Sequence, residues 1–246
     1  MKKFLAFLIT VIMFMPSAAF AEGTTFEDLV LDVIKKNPQA VKEALEKYEQ
    51  DVTEKAKEDE FKNLLQDRAE VEIGKTPIRG KKKAKYTVIA FSDFQCPFCK
   101  RGDDTIKELL KKYGDDMNYV FKHFPLGFHP EAAPASKACW AAGQQDKFYE
   151  FHDKLFENQG QLGEELYVKI AGELNLNMEK FNKDRASAEA QVAVDEDTAE
   201  GQKAGIKGTP GFLLNGVKIF GAYPVEHFEK VISALDEDTN KAANNK

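Results

Sequence analysis

The chain has 246 residues, of which 31% are charged and 43% apolar, and a formal net charge of −6. An acidic chain is a poor polyanion binder, so nucleic acid is not an expected partner. The basic runs Lys81-Lys82-Lys83 and Lys107/Lys111/Lys112 read as solvated loop and helix faces. Three cysteines, Cys96, Cys99 and Cys139, are too few to staple a small secreted fold, and a chain of this length buries a core without staples, which leaves them available for chemistry.

Residues 1–21 read as a signal peptide. Lys2 and Lys3 form a basic start, residues 4–15 are almost wholly apolar, and Ala19-Phe20-Ala21 is a small-x-small cleavage pattern. The apolar run is about 12 residues long, short of the roughly 20 a membrane span needs. Export places the mature chain in a periplasmic or otherwise extracytoplasmic compartment where a disulfide persists. Loss of Lys2 and Lys3 takes the net charge from −6 to about −8.

Residues 22–73 read as a helical extension. Thr24 and Glu27 fit a capping box, and Phe26, Leu29, Val30, Val33 and Ile34 then follow one helical stripe. Asn37 and Pro38 suit the cap and first position of a second helix, in which Val41, Leu45, Tyr48 and Val52 form a short heptad seam. The seam lapses over residues 54–60 and resumes at Phe61, Leu64 and Leu65. The extension has too few apolar residues for a core of its own, so it either folds back on the following domain or pairs with a copy of itself. A homo-oligomer built through residues 24–65 is the expectation. Residues 74–85, with Gly74, Pro77, Gly80 and the three lysines, read as a linker.

The pattern then becomes mixed. A buried strand at 86–91, a helix at 97–113 stopped by Gly114, and a second strand at 117–124 imply a parallel unit. Residues 130–206 read as helical throughout, with segments at 132–142, 147–156, 164–174, 178–185 and 190–203. Two strands, 212–214 and 217–220, flank Asn215-Gly216, a hairpin turn pair. A final helix spans 225–235, and residues 237–246 are expected to form a mobile tail.

Cys96-Pro97-Phe98-Cys99 falls where the first strand gives way to the helix. A sulfur at the helix start faces free N–H groups and the positive end of the dipole, which stabilise a thiolate. Cys96 is therefore the expected nucleophile, and Cys99, one turn inside and more buried, the resolving thiol. Pro97 suits the first helical turn. Lys100 and Arg101 add positive charge there, as tuners of the thiolate or as an exposed basic pair. His123, at the end of the second strand, is expected near the cysteines, as a structural or a tuning residue. Cys139 lies in an apolar helical context and reads as an inert buried thiol. Zinc is a rival for any Cys-x-x-Cys, but no second Cys-x-x-Cys accompanies it, so neither metal nor cofactor is expected.

The stretch Phe91-Ser92-Asp93-Phe94-Gln95-Cys96-Pro97-Phe98-Cys99-Lys100, with Gly208-Thr209-Pro210-Gly211 before the hairpin, the long helical insert and Phe151-His152-Asp153, resembles the DsbA-like family of exported thiol-disulfide oxidoreductases. The resemblance covers residues 84–236, and the extension before it looks like those of oligomeric relatives. It implies an α/β architecture: a thioredoxin fold over 86–236 with a helical domain inserted at about 130–206. It implies clients that are unfolded or misfolded secreted proteins, and a membrane redox partner that reoxidises or reduces the pair. It also implies a cis bond at Thr209–Pro210, with the backbone before the proline pairing with bound substrate as a short β-strand. Phe98 stands where the strongly oxidising members carry His, which implies a milder oxidant. Ala90 stands where some relatives have a buried carboxylate, so the proton of Cys99 must leave through water or through Asp93, and Asp93 equally suits a loop cap. Thr209 looks more like the isomerase and reductant-linked relatives. Oxidase and oligomeric isomerase or reductase both stay open, and a non-catalytic surface protein retaining the fold is the remaining rival.

Overall fold

The computed structural model describes residues 25–244, so the expected signal peptide lies outside the described residues. Two units divide at Glu58 and Asp59.

In the first unit, α1 (Phe26–Lys36) starts one residue later than the sequence suggests. Two capping patterns overlap, and the helix uses the second: Asp28 N donates to Thr25 Oγ1 at 3.2 Å, and Thr25 N donates to the Asp28 carboxylate at 2.9 Å. Asn37 turns its side chain backwards, donating to the Val33 carbonyl at 2.8 Å, and so closes α1 instead of capping α2 (Pro38–Gln66). Pro38 opens that helix as expected. No residue of α1 is buried, and its apolar stripe and the seam residues Leu45, Tyr48 and Val52 are exposed.

The second unit is built on a five-stranded sheet in the order β1-β3-β2-β4-β5. The parallel pair β2 (Tyr86–Ser92) and β3 (Met117–His123) forms its centre, joined through α3 (Pro97–Tyr113). Helices cover both faces of such strands, so they read as continuous apolar runs. Period-two alternation nonetheless divides them: Val88 and Ala90 face the main core, while Ile89 and Phe91 face a smaller one with Val120, Phe124, Ile206 and Leu213. Five helices intervene between β3 and β4: α4 (Ala132–Gly143), α5 (Phe148–Glu157), α6 (Glu164–Glu173), α7 (Met178–Arg185) and α8 (Ala188–Lys203). β4 (Gly211–Leu214) and β5 (Val217–Phe220) form the expected hairpin, with Asn215 and Gly216 both at positive φ.

Two stretches differ from expectation. Ile78–Arg79, inside the presumed linker, forms the edge strand β1, antiparallel to β3. The last helix, α9 (Val225–Asn244), runs on through most of the presumed mobile tail. Its inner stripe of Phe228, Val231, Ile232 and Leu235 is buried, the Thr239 hydroxyl donates to the Leu235 carbonyl at 2.9 Å, and Asp238 pairs with Arg68 at 3.3 Å. Phe61, Leu64 and Leu65 pack against the main core instead of prolonging a seam.

One close approach positions the site. A Cβ on Gly102 of α3 would stand 2.8 Å from Phe212 Cζ and 3.3 Å from Pro210 Cγ, so this glycine lets the helix lie directly against the proline loop.

Candidate active site

Cys96 is the N-cap of α3, with Pro97 following at the first helical position. Its sulfur lies 3.6 Å from the Thr209 carbonyl oxygen, and the Thr209–Pro210 bond is cis. The helix start and the loop before β4 thus meet at one sulfur. Cys96 is 4% exposed and Cys99 1%, which keeps the expected order but leaves the nucleophile nearly covered.

The two thiols differ in electrostatics. A hydrogen bond from Cys99 is the main influence holding the Cys96 thiolate down to about 5; Thr209 and the N–H groups of Cys99 and Phe98 add to it, against the opposing effect of burial. That value sits between the ~3.5 of a strong oxidant and the ~7 of thioredoxin. Thr209 Oγ1 is buried with no hydrogen-bond partner, which leaves its hydroxyl free to turn to this sulfur. Cys99 is pushed well above the ordinary thiol range, first by burial and then by its bond to Cys96, even though Asp93 N donates to its sulfur at 3.4 Å. One thiol is ionised and the other keeps its proton, the asymmetry that a nucleophile and a resolving thiol require.

Asp93 is fully buried and acts as a loop cap. Its Oδ1 accepts from Gln95 N at 2.7 Å, and its Oδ2 accepts from Leu126 N at 2.9 Å and pairs with His129 Nδ1 at 2.7 Å. Its carboxylate oxygens are taken up by these partners, with none bonded to a sulfur. Lys100 is not held at the thiolate either, since its ammonium pairs with Asp104 at 2.8 Å. Arg101 lies over the Phe98 ring, 4.7 Å from its centroid. His123 pairs with Ser92 across the strands, but its ring is buried among Phe94, Phe121 and Phe148, and burial lowers it to about 3, so it is neutral. No hydrogen bond joins His123 to either cysteine among the described residues. Cys139 is fully buried, donates to the Phe148 carbonyl at 3.6 Å, and is pushed up by that burial.

Sequence reading missed Gln159. Its amide donates to the carbonyls of Phe94 at 2.7 Å and Cys96 at 2.9 Å, so the helical insertion holds the backbone of the cysteine loop. A single polar residue over 60 positions from its partners leaves no local pattern. Below the pair, Asp103 and His152 are buried, and with Asp153 they bring three ligand-type atoms within 4.8 Å. Lys107 pairs with Asp103 at 2.9 Å and Arg79 with Asp153 at 2.6 Å, so two cations already balance the two carboxylates. This is an ion-pair network tying β1, α3 and α5 together, poorly suited to a further cation.

Beside the sulfur, Phe98, Arg101, Thr209, Pro210, Phe220 and Tyr223 line a cavity of ≈ 380 Å³. Residues 72–234 match the family model described as thioredoxin. The chain belongs to the thioredoxin family. Among solved structures this thioredoxin-family chain is similar to a thioredoxin-like oxidoreductase from Silicibacter pomeroyi DSS-3, with a TM-score of 0.61 at 25% identity over 66% of this chain and 92% of that one. The α-DsbA1 of Wolbachia pipientis gives a TM-score of 0.61 at 21% identity over 70% and 96% of the two chains, which shows the DsbA-like form of the fold, a thioredoxin sheet interrupted by helices. Among curated proteins it is 33% identical over 158 residues to the Na(+)/H(+) antiporter NhaA 1 of Salinispora arenicola, a match covering 64% of this chain. The chain spans about a quarter (24%) of that relative's length. Among the described residues no helix is long and apolar enough to cross a membrane.

Proposed function

We propose that this protein is a thiol-disulfide oxidoreductase that exchanges disulfides with protein clients through Cys96 and Cys99. The observation that carries the reading is geometric: Cys96 stands at the N-cap of α3 with its sulfur 3.6 Å from the Thr209 carbonyl of the cis-proline loop, and Cys99 lies one turn deeper in the same helix. In the oxidising direction a client thiolate attacks Cys96, forming a client–Cys96 bond while the Cys96–Cys99 bond breaks and Cys99 takes up a proton. A second client thiolate then attacks the client sulfur of that bond, and Cys96 leaves as a thiolate. Two electrons and two protons pass from a client dithiol to the pair and solvent; the reverse sequence reduces a client. Equilibration with glutathione tests this. The pair is expected to form a Cys96–Cys99 disulfide with a potential between the ~−120 mV of a strong oxidant and the ~−270 mV of a reductant. Absence of that disulfide at any glutathione ratio overturns the reading.

The setting follows the same reading: an extracytoplasmic chain, exported by residues 1–21, acting on unfolded or misfolded secreted proteins and served by a membrane redox partner. We also propose self-association through residues 24–65, on the ground that Phe26, Leu29, Val33 and Ile34 are all exposed on α1. Light scattering is expected to give a dimer or larger for the mature chain, and a smaller species once residues 24–58 are removed. A monomer in both cases refutes it.

A further inference from the structure

Beyond the redox pair, one loop is fastened to the cysteine segment without serving the chemistry. After β3 the chain bonds to the residues just before Cys96 at four points. Phe124 N donates to Ser92 O at 2.9 Å, Leu126 N and the His129 ring bind the Asp93 carboxylate at 2.9 and 2.7 Å, and Glu131 N donates to Gln95 Oε1 at 2.7 Å. At the tip of this pinned loop stands Phe128, 76% exposed, its ring edge-on to His129 with centroids 4.5 Å apart.

A lone exposed phenylalanine needs no explanation. Here the distribution does. Among the described residues of the second unit, the exposed large apolar side chains are Phe98, Phe128, Phe220, Tyr223, Val168 and Val192. Three of the four aromatics line the cavity beside Cys96, and the fourth, Phe128, stands between Leu126 and His129, which both bind Asp93. A loop bonded to Ser92, Asp93 and Gln95 that holds an aromatic ring in water keeps apolar area ready beside the segment leading into the reacting sulfur. Cys96 is nearly covered, so its partner sulfur must arrive on a chain that can bend into the site.

We propose that Phe128 is a specificity-determining contact for clients. It receives an apolar side chain flanking the cysteine of an extended, unfolded polypeptide, and the Asp93–His129 pair positions it. The assignment rests on the exchange reading above. Its occupant is an unfolded chain segment, because the nearly covered Cys96 admits a sulfur carried on a chain that bends into the site.

The test uses the oxidised full-length mature chain and short reduced peptides with a single cysteine, flanked two residues away by phenylalanine or by glycine. The ratio of their mixed-disulfide formation rates, phenylalanine over glycine, is the readout. A ratio of about tenfold is expected for the natural chain, from burial of part of one aromatic side chain. It should fall to near one in Phe128→Ser and be largely kept in Phe128→Leu. A ratio that Phe128→Ser leaves unchanged assigns the preference to the cavity and overturns the proposal, as does a natural chain that does not distinguish the peptides. A purely structural role lowers both rates and preserves the ratio, and also overturns it. If the natural chain reacts with neither peptide nor glutathione, the exchange reading fails, and this inference fails with it.

Discussion

Cys96→Ser is expected to reduce exchange with any disulfide to the uncatalysed background, whereas Cys99→Ser should still attack but accumulate as a covalent adduct with its client. The asymmetry follows from where the two sulfurs sit. Only Cys96 lies against the Thr209 carbonyl at the helix start, so only it meets an incoming sulfur. A serine hydroxyl there offers neither a thiolate nor a bond to sulfur that thiols can reopen. Cys99 is more deeply buried and keeps its proton, so it acts only on a sulfur already bonded to Cys96. Mass spectrometry of the intact protein after mixing with a disulfide-containing client reads the result directly. Adducts are expected on Cys99→Ser, none on Cys96→Ser, and only transient ones on the natural chain. Stable adducts that formed on Cys96→Ser would reverse the assignment. Cys139, fully buried, should carry none in any variant.

The parts of this site legible in the sequence are those whose partners are close along the chain or whose residue types have one use. A Cys-x-x-Cys with Pro97 at a helix start places both sulfurs by helical geometry alone, and Asn215-Gly216 marks its hairpin because both residues tolerate positive φ. What was hidden depends on distant partners. Arg79 makes β1 worth forming because it reaches Asp153 and the Tyr149 carbonyl, 74 and 70 residues away. The polar end of α9 looks like a tail until Asp238 finds Arg68, 170 residues back. Lys100 lies on α3 and His123 on β3, yet sequence position does not say where a side chain turns: one pairs with Asp104, the other sits in an aromatic cluster. Asp93 read as either cap or proton relay, and only the positions of Leu126 and His129 decide that its oxygens are taken.

The pH dependence of the reduced protein should carry the signature of one depressed thiol. With Cys96 at about 5, roughly 99% of it is thiolate at pH 7, against the few per cent of an ordinary cysteine. Thiolate absorbance should titrate with a midpoint near that value. The folded-state pKa lies below that of the unfolded chain, so the ionised sulfur stabilises the reduced form. That contribution is complete above the ordinary thiol value of ~8.5 and is lost as pH falls through the interval down to about 5. Within that window the stability of the reduced protein, measured against the oxidised one in which no thiolate exists, should fall by about 1.4 kcal/mol per pH unit at most. The potential gives an independent reading. Below about pH 5 the reduced pair binds two protons, and above it only the Cys99 proton remains. The two-electron potential should therefore change by ~59 mV per pH unit at low pH and by ~30 mV above the break. A break near pH 8 to 9, or a single steep slope across the neutral range, would show that hydrogen bonds from Cys99 and Thr209 do not hold the Cys96 sulfur ionised, and would remove the electrostatic basis for its role as nucleophile.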